Sequence, residues 1–247
     1  MRLLREIYDE EKSKEANTLA CIDWAFAGRS RTSARGARED GMIKLSHTVW
    51  DHWIDSKSND PGIDEGDMWV QEDGDVLERG KQKHPETGEE TEYEELWHDL
   101  EVIPLGKKQN RSSMVLRAHK PERKVRGLVV KIGGWCQGIL KTGDDLAVER
   151  WERKPATPSD GEAVVEEGRQ EERTHNDWVR TFRVGKGTLP CMYVCSHTGG
   201  KLGLDTVLRH RSPDPRRTQD WWAHPREQAL EEDDAQDDWK VIEEYYW

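Results

Sequence analysis

Apolar residues recur along the chain in short runs that alternate with polar residues. The run MIKLSHTVWDHWID (42–55) places apolar side chains at every second position, which is typical of a β-strand with one buried face. WVRTFRV (178–184) and DWKVIEEYYW (238–247) have the same character. Gly, Pro, Asp and Ser separate these runs and mark turns. The pattern therefore predicts an all-β fold.

The acidic segment DEGDMWVQEDGDVLERG (64–80) has two interpretations. A calcium loop needs Gly at its sixth position and Glu at its twelfth, and counting from the first or second aspartate does not give that spacing. Asp73-Gly74 instead favours a two-residue turn between two strands. In that register Val70 faces Leu77, and Trp69 lies on the opposite face. We therefore predict a metal-free β-hairpin.

Other segments are less regular. LACIDWAFAG (19–28) predicts a strand, and the basic segment RSRTSARGARED (29–40) predicts a loop after it. YEELWHDL (93–100) fits both helical and strand spacing, and we prefer a strand because its neighbours are strands and turns. LPCMYVCS (189–196) also predicts a strand. Residues 2–16 fit a short helix or an edge strand.

The chain is predicted to contain two domains. A weak internal repeat relates GDVLERGKQ to DDLAVERWE and ELWHDLEVI to DDWKVIEEYYW. We place the first domain at residues 1–118 and the second at 119–247. In the second domain VRGLVVKIGG, WCQGILKTG and LAVERWER predict a three-stranded meander. Charged segments at 154–177 and 212–238 are predicted to be long loops.

Composition narrows the range of functions. The 247 residues carry a formal net charge of -12, with a pI of about 5.3 and a mean hydropathy of -1.00. Nucleic acid and anionic membrane are therefore poor partners. Only 34% of residues are hydrophobic, and 12 are Trp. Large aromatic side chains must supply much of the buried surface.

The cysteines and the amino-terminal segment suggest a reducing compartment. Cys21, Cys136, Cys191 and Cys195 are irregularly spaced. No apolar run reaches the roughly 20 residues of a membrane span, and the amino-terminal segment lacks the pattern of a signal peptide. We expect reduced thiols and a location in the cytoplasm or the nucleus.

The cysteine and histidine residues could form a zinc site or a catalytic site, or they could have a purely structural role. On a strand, Cys191, Cys195 and His197 would share one face, but a zinc site takes four ligands, so we predict barrel-wall cysteines and no metal. Neither a nucleophilic dyad nor a cofactor ligand set is recognisable, so no catalytic residue and no cofactor are predicted.

The candidate ligand-binding residues are aromatic side chains, with one amide, on predicted strands: Trp135, Gln137, Trp151, Trp24 and Trp69. Gly133, Gly134 and Gly138 lack side-chain bulk near the first of these. Small barrels are either filled by side chains or hollow enough for one small ligand. Both alternatives remain, and the filled interior is favoured. If a pocket exists, we expect it in the second domain.

Several stretches of the sequence resemble the fungal Hri family, and the resemblance runs from about Leu19 to Trp247. The stretches are DWAFAG, DEGDMW, YEELW, GGWCQGIL, VERWE and LPC. The resemblance implies two small calycin- or lipocalin-like antiparallel β-barrels in one chain. It also implies association with a casein-kinase-I-type protein kinase, without an established catalytic activity. The amino-terminal segment here is shorter than is usual for the family, so the first barrel is expected to lack early strands.

The expected function is that of a non-enzymatic cytosolic binding protein. Its expected partners are a casein-kinase-type protein and an apolar small molecule. The alternative is a β-barrel isomerase or cyclase of fungal small-molecule metabolism, since such an enzyme needs only an aromatic pocket with one acid or base.

Overall fold

The computed structural model describes residues 2–6, 22–39, 42–83, 88–104, 111–154, 178–197, 202–204, 207–209 and 238–247. These residues form two units, and the change from the first to the second falls between Val102 and Ile103. Each unit contains one antiparallel sheet, so the predicted all-β class is confirmed. In the part of the chain that is described, no helix is long and apolar enough to cross a membrane.

The first sheet is a meander in which each strand pairs with the next. Its strands are β1 (Arg2–Glu6), β2 (Ile22–Glu39), β3 (Met42–Asp55), β4 (Ile63–Val70), β5 (Val76–Lys83) and β6 (Glu90–Trp97). The strand interpretation of 93–100 is confirmed as far as Trp97, where β6 ends, and β1 forms an edge strand beside β2. The loop expected at 29–40 is wrong, because β2 continues along β3 with Thr32 and Thr48 hydrogen-bonded at 2.9 Å.

The hairpin of β4 and β5 is confirmed, but its register differs from the prediction. The turn spans residues 71–75 and is closed by the Gln71 amide, which donates to the Asp75 carbonyl at 2.7 Å. The longer turn shifts the pairing by one residue and places Trp69 opposite Leu77. Because side chains alternate between faces, this shift moves one strand's set of side chains to the other side relative to its partner.

The second sheet has the strand order β11-β10-β9-β8-β7-β13-β12. Its strands are β7 (Ser112–Lys120), β8 (Val125–Ile132), β9 (Trp135–Thr142), β10 (Asp145–Arg153), β11 (Trp178–Val184), β12 (Val207–Arg209) and β13 (Asp238–Tyr246). The predicted meander matches β8 to β10. Strand β7 pairs with β8 and β13, and its Met114, Leu116 and Ala118 side chains lie in the core of this sheet. Strand β7 therefore lies in the same unit as the other strands of this sheet.

A short helix, α1 (Cys191–Ser196), replaces the strand that was expected at 189–196. Cys191, Val194 and Cys195 are its buried residues, and their spacing is that of one helical face. Pro190 stands just before the helix, where a missing amide hydrogen costs little. The two cysteines therefore share a face, while Tyr193 is exposed.

Ile139 and Val148 are fully buried on one face of the second sheet, and the main apolar cluster lies on the other face, which α1 covers. Leu116, Val129, Trp239 and Val241 are at its centre. Among the described residues, no ladder joins the two edge strands of either sheet. The barrels implied by the family resemblance are therefore represented by two open sheets in the described part. Most of the predicted loops at 154–177 and 212–238 lie outside the described residues.

Candidate functional site

Three tryptophan side chains donate their indole N–H to buried carboxylates. The pairs, with their N···O distances, are Trp24–Asp55 (3.1 Å), Trp97–Glu78 (2.7 Å) and Trp151–Glu149 (2.6 Å). Each carboxylate belongs to a residue that is at most 5% exposed. A buried carboxylate needs donors that replace its lost hydration. Tryptophan supplies apolar bulk and one donor on the same side chain, which explains part of its abundance.

Glu78, on β5, is fully buried and accepts on both oxygens. Tyr93 Oη donates to Oε1 at 2.6 Å, and Trp97 Nε1 donates to Oε2. Two glycines, Gly66 and Gly80, face each other across β4 and β5 beside this group. A Cβ on the first would lie 2.9 Å from Glu78 Cγ, and one on the second would collide with the Tyr93 ring. The glycine pair therefore makes the room that this network occupies.

Asp55, at the end of β3, also accepts on both oxygens. His52 Nδ1 lies 2.9 Å from Oδ2, and the Lys57 amide donates to Oδ1 at 2.7 Å, as Trp24 also does. Burial alone raises the pKa of this carboxyl, but the hydrogen bonds from His52, Lys57 and Trp24 outweigh it and hold the pKa below its usual 3.8. The ionised form is therefore the stable one in the fold.

His52 has one nitrogen that is not satisfied. Its ring stacks on Phe26 with centroids 3.8 Å apart and meets the edge of Trp24 at 5.4 Å. Because ionised Asp55 only accepts, Nδ1 carries the proton, and in the neutral ring Nε2 is an acceptor. Nε2 is buried without a hydrogen-bond partner. This arrangement orients one basic nitrogen within an aromatic cluster.

Glu149, on β10, is the buried acid of the second sheet. Arg183 Nη1 donates to Oε2 at 2.6 Å, and Arg180 Nη1 lies 3.9 Å from Oε1 while its guanidinium sits 5.7 Å from the Trp151 ring centroid. Burial raises the pKa of this carboxyl above its usual 4.5, and the opposing effect of Arg183 and Trp151 is smaller. The pKa of Glu149 is thus raised, whereas the pKa of Asp55 in the first sheet is lowered.

The residues predicted to line a pocket of the second domain do not converge. Trp151 belongs to the apolar core and pairs with Cys136, which points to the same face. Trp135 and Gln137 alternate onto the opposite face of β9. Gln137 Oε1 accepts from Arg150 Nε at 2.8 Å, and Trp135 is only partly buried. Their role in binding a ligand stays a prediction.

The space beside the glycines near Trp135 is largely filled. A Cβ on Gly134 would lie 2.8 Å from Ile103, and one on Gly138 would lie 2.7 Å from Cys191 Sγ. These glycines therefore permit close packing. Trp24, in the first unit, is committed to its carboxylate.

Trp69, the remaining predicted site residue, lies in an apolar stripe across four strands of the first sheet. Leu45 pairs with Trp69, Trp69 with Leu77, and Leu77 with Leu96. We call these four residues the apolar stripe. Trp69 is 39% exposed and Leu96 65% exposed, so the stripe faces solvent on β4 and β6. The predicted hairpin register concealed it by placing Trp69 and Leu77 on opposite faces.

The surroundings of the apolar stripe are acidic. Between residues 60 and 101 the sequence has 16 Asp or Glu and only three Lys or Arg. In the next row on this face, Arg79 Nε lies 2.8 Å from Glu94 Oε1. Arg35 pairs with Leu45 at the β2 end of the stripe, and its Nη1 lies 2.9 Å from Asp67 Oδ1. These guanidinium groups already have carboxylate partners, so the surface around the stripe is negative.

The cysteine and histidine set considered for zinc is arranged differently from the prediction. Cys191 and Cys195 face the sheet from α1, and His197 lies just after the helix. In the ranges that the structure describes, no group of three or more His, Cys, Asp or Glu is placed to hold a metal ion. Cys136, Cys191 and Cys195 are buried free thiols.

Sequence reasoning missed the acids and the histidine of these sites. Asp55 and Glu78 lie in strongly acidic or mixed segments, where a single buried carboxylate has no local signal. One usable signal existed, since glycine in the interior of a strand often marks a close approach. Gly66 and Gly80 lie at such positions.

Comparisons with known proteins identify the family. The search of curated proteins gave no match. Among solved structures, the crystal structure of an uncharacterized protein, YLR301w, from Saccharomyces cerevisiae is similar, with a TM-score of 0.56 and 16% identity. The alignment covers 91% of this chain and 80% of that one, and it supports the fold. The family model described as Protein HRI1 matches residues 1–212, and the chain therefore belongs to the HRI1 family.

Proposed function

We propose that the protein is a non-enzymatic binding protein whose docking surface is the apolar stripe of the first sheet. The observation that carries this proposal is the alignment of Leu45, Trp69, Leu77 and Leu96 across four strands, with Trp69 and Leu96 exposed. Tryptophan is enriched among the few side chains that dominate binding energy at interfaces. An exposed row of this kind marks an interaction site more often than a scattered apolar residue does.

The charge around the stripe indicates the kind of partner. The strands β4 to β6 carry a large excess of carboxylates, and the nearby Arg35 and Arg79 are already ion-paired. A partner segment with lysine or arginine beside apolar side chains would gain both attraction and burial. We therefore assign the surface to a protein partner with a basic, apolar segment.

A casein-kinase-type protein kinase in the cytoplasm or nucleus is the first partner to test. The family resemblance suggests it, and a kinase that recognises acidic sequences would present a basic surface to this sheet. Apolar anchors in the stripe would then set the residence time, while the surrounding carboxylates would accelerate association.

The experiment measures binding of a purified casein-kinase-I-type catalytic domain to the immobilised full chain at low and high salt. The variant Trp69→Ser/Leu96→Ser is compared with Leu204→Ser, which alters a residue 62% exposed in the second unit. We expect the stripe variant to weaken binding by roughly tenfold or more and the control by less than about twofold.

The outcomes test the proposed partner and the proposed docking surface separately. A kinase that does not bind the unmodified chain refutes the kinase assignment. A kinase that binds the stripe variant as tightly as the unmodified chain refutes the surface. A synthetic lysine–leucine peptide, compared with a glutamate–leucine peptide, tests the charge class alone. Equal binding of the two peptides would contradict a basic partner.

A second candidate function is a small-molecule site at His52, which would suit the isomerase or cyclase alternative. The observation that favours it is the buried Nε2 without a partner, oriented by Asp55 beside Trp24 and Phe26. Such a nitrogen can accept a proton or a hydrogen bond from a ligand. Native mass spectrometry should then find a co-purified small molecule that is lost in His52→Phe. An unliganded mass in both proteins would count against this candidate.

A further inference from the structure

Three buried thiols converge between α1 and the second sheet. Cys191 and Cys195 stand one helical turn apart on the buried side of α1, and Cys136 faces them from β9. The Cys136 thiol donates a hydrogen bond to the Cys191 carbonyl oxygen, 4.0 Å from its Sγ, and the thiols of both helix cysteines affect its pKa. Cys136 is therefore the common neighbour of the other two.

A buried lysine adjoins this cluster. Lys131, on β8, pairs with Cys136 across the ladder and is 3% exposed. Its Nζ donates to the Val194 carbonyl at 2.9 Å and lies 5.6 Å from the Trp178 ring centroid. A buried ammonium is costly unless a negative group lies nearby. A thiolate at Cys136 would supply that charge.

The three thiols differ in the ease with which they lose a proton. Burial alone raises the pKa of the Cys136 thiol, but the hydrogen bonds from Cys191 and Cys195 and the charge of Lys131 lower it well below its usual 9.0. Burial, together with the nearby Cys136, raises the pKa of both helix cysteines. Since the thiolate is the nucleophile, the lowered pKa and the neighbouring Lys131 favour Cys136 as the reactive thiol.

We propose that Cys136 is a peroxide-sensitive site, and that its oxidation ends in a disulfide with Cys191 or Cys195. The Cys136 thiolate attacks one oxygen of a hydroperoxide, breaks the O–O bond and becomes a sulfenic acid. The leaving alkoxide or hydroxide takes a proton and departs as alcohol or water. A helix thiol then attacks the sulfenic sulfur, the S–S bond forms and water leaves. The two sulfurs lose two electrons, and the peroxide gains them.

The buried cluster becomes accessible when α1 opens. The helix has six residues, and no side chain caps its first turn. Short elements of this kind open locally without unfolding of the core that they cover. In the closed state the core protects the thiols, so oxidation is slow but needs no denaturant. Closure of the disulfide then ties α1 to β9.

The test uses the full chain with Cys21→Ser, so that three cysteines remain. Hydrogen peroxide is added at neutral pH, and the intact mass is followed over time. We expect a loss of about 2 Da, the mass of two hydrogens, and peptide mapping should join Cys136 to one of the helix cysteines. No mass loss, or a disulfide that lacks Cys136, would overturn the proposal. This arm needs no substitution in the cluster of three thiols.

Variants of the cluster test whether Cys136 is the reactive thiol in every disulfide or whether any two neighbouring thiols can pair. Cys191→Ser and Cys195→Ser should each still lose about 2 Da, whereas the double variant should form no disulfide. In Lys131→Met, the pH dependence of Cys136 alkylation by iodoacetamide should move to higher pH. An unchanged pH profile in a variant with native circular dichroism would refute the role given to Lys131.

Discussion

In the second sheet the buried side chains are mostly apolar, and most of them form one cluster that includes Leu116, Val129 and Trp239. In the described part of the first sheet, by contrast, polar groups are a large share of what is buried, among them Asp55 and Glu78. Apolar burial contributes free energy roughly in proportion to area, whereas buried polar groups must meet specific partners. The second sheet is thus stabilised mainly by packing and the first by hydrogen bonds of fixed geometry.

This difference suggests that the two units have different roles. A sheet with its shape fixed by polar networks can leave apolar side chains in solvent, as the first sheet does with Trp69 and Leu96. The second sheet instead encloses its reactive groups, including three thiols and Lys131. We infer that binding belongs to the first unit, and that the second supplies stability together with a protected redox site.

The largest effect is expected from Trp239→Ala in the second sheet. Trp239 is fully buried, and Gly127 leaves the space that its ring occupies. Removing the ring should lower the free energy of unfolding by about 3–5 kcal/mol, because a cavity remains. Denaturant titration followed by circular dichroism measures the change.

A matched control separates packing from hydrogen bonding at this position. The indole nitrogen of Trp239 is buried without a hydrogen-bond partner. Trp239→Phe removes that nitrogen and retains most of the ring, so it should cost clearly less than Trp239→Ala. Equal losses in the two variants would contradict the view that this unit is stabilised by packing.

In the first sheet the corresponding change is Glu78→Leu. The leucine has suitable bulk, but Tyr93 and Trp97 lose their shared acceptor, at an expected cost of about 2–4 kcal/mol. Glu78→Gln keeps one acceptor oxygen and should cost less. Urea titration of both variants gives the comparison. A leucine variant as stable as the unmodified chain would show that the polar network is not what stabilises this sheet.

The acid dependence of stability should have opposite signs in the two sheets. The pKa of Asp55 is lowered on folding, so its contribution is complete above its unfolded value near 3.8 and is lost as the pH falls through the folded value. The pKa of Glu149 is raised, so its contribution is complete below 4.5 and is lost as the pH rises through the folded value.

Two variants test these signs. Asp55→Asn should flatten the loss of stability on the acid side, and Glu149→Gln should flatten the loss above pH 4.5. Denaturation midpoints across a pH series, read as differences from the unmodified chain, measure both slopes. If both substitutions change stability on the same side of the pH profile and in the same direction, the opposite pH dependence assigned to the two acids is wrong.

The sequence predicted much of the strand pattern, because local alternation and turn residues determine it. The meander of β8 to β10 has a two-residue glycine-containing turn at each connection, and its prediction agrees with the structure. The hairpin at Asp73-Gly74 was harder. Its existence follows from the turn residues, but its register depends on whether the turn takes two residues or five. That single difference concealed the apolar stripe.

Other features depend on contacts between distant parts of the chain. The acceptors of Trp24 and Trp97 lie 31 and 19 residues away, and alternation contains no information about them. The helix at Cys191 is only six residues long, too short for its period to be distinguished from a strand. Its three buried side chains can be recognised as one helical face only when the sheet that they contact is known.

The smallest effect on stability is expected from the apolar stripe itself, and it is the sharpest test of the comparison. Leu96→Ser removes a side chain that is 65% exposed, so the free energy of unfolding should change by less than about 0.5 kcal/mol. The same substitution should weaken partner binding, since docking would bury that side chain. Leu77→Ser, at a partly buried position in the same row, should reduce both stability and binding. If Leu96→Ser destabilises the unbound chain by as much as Leu77→Ser does, the stripe is covered within the protein, and the surface available for docking must lie elsewhere.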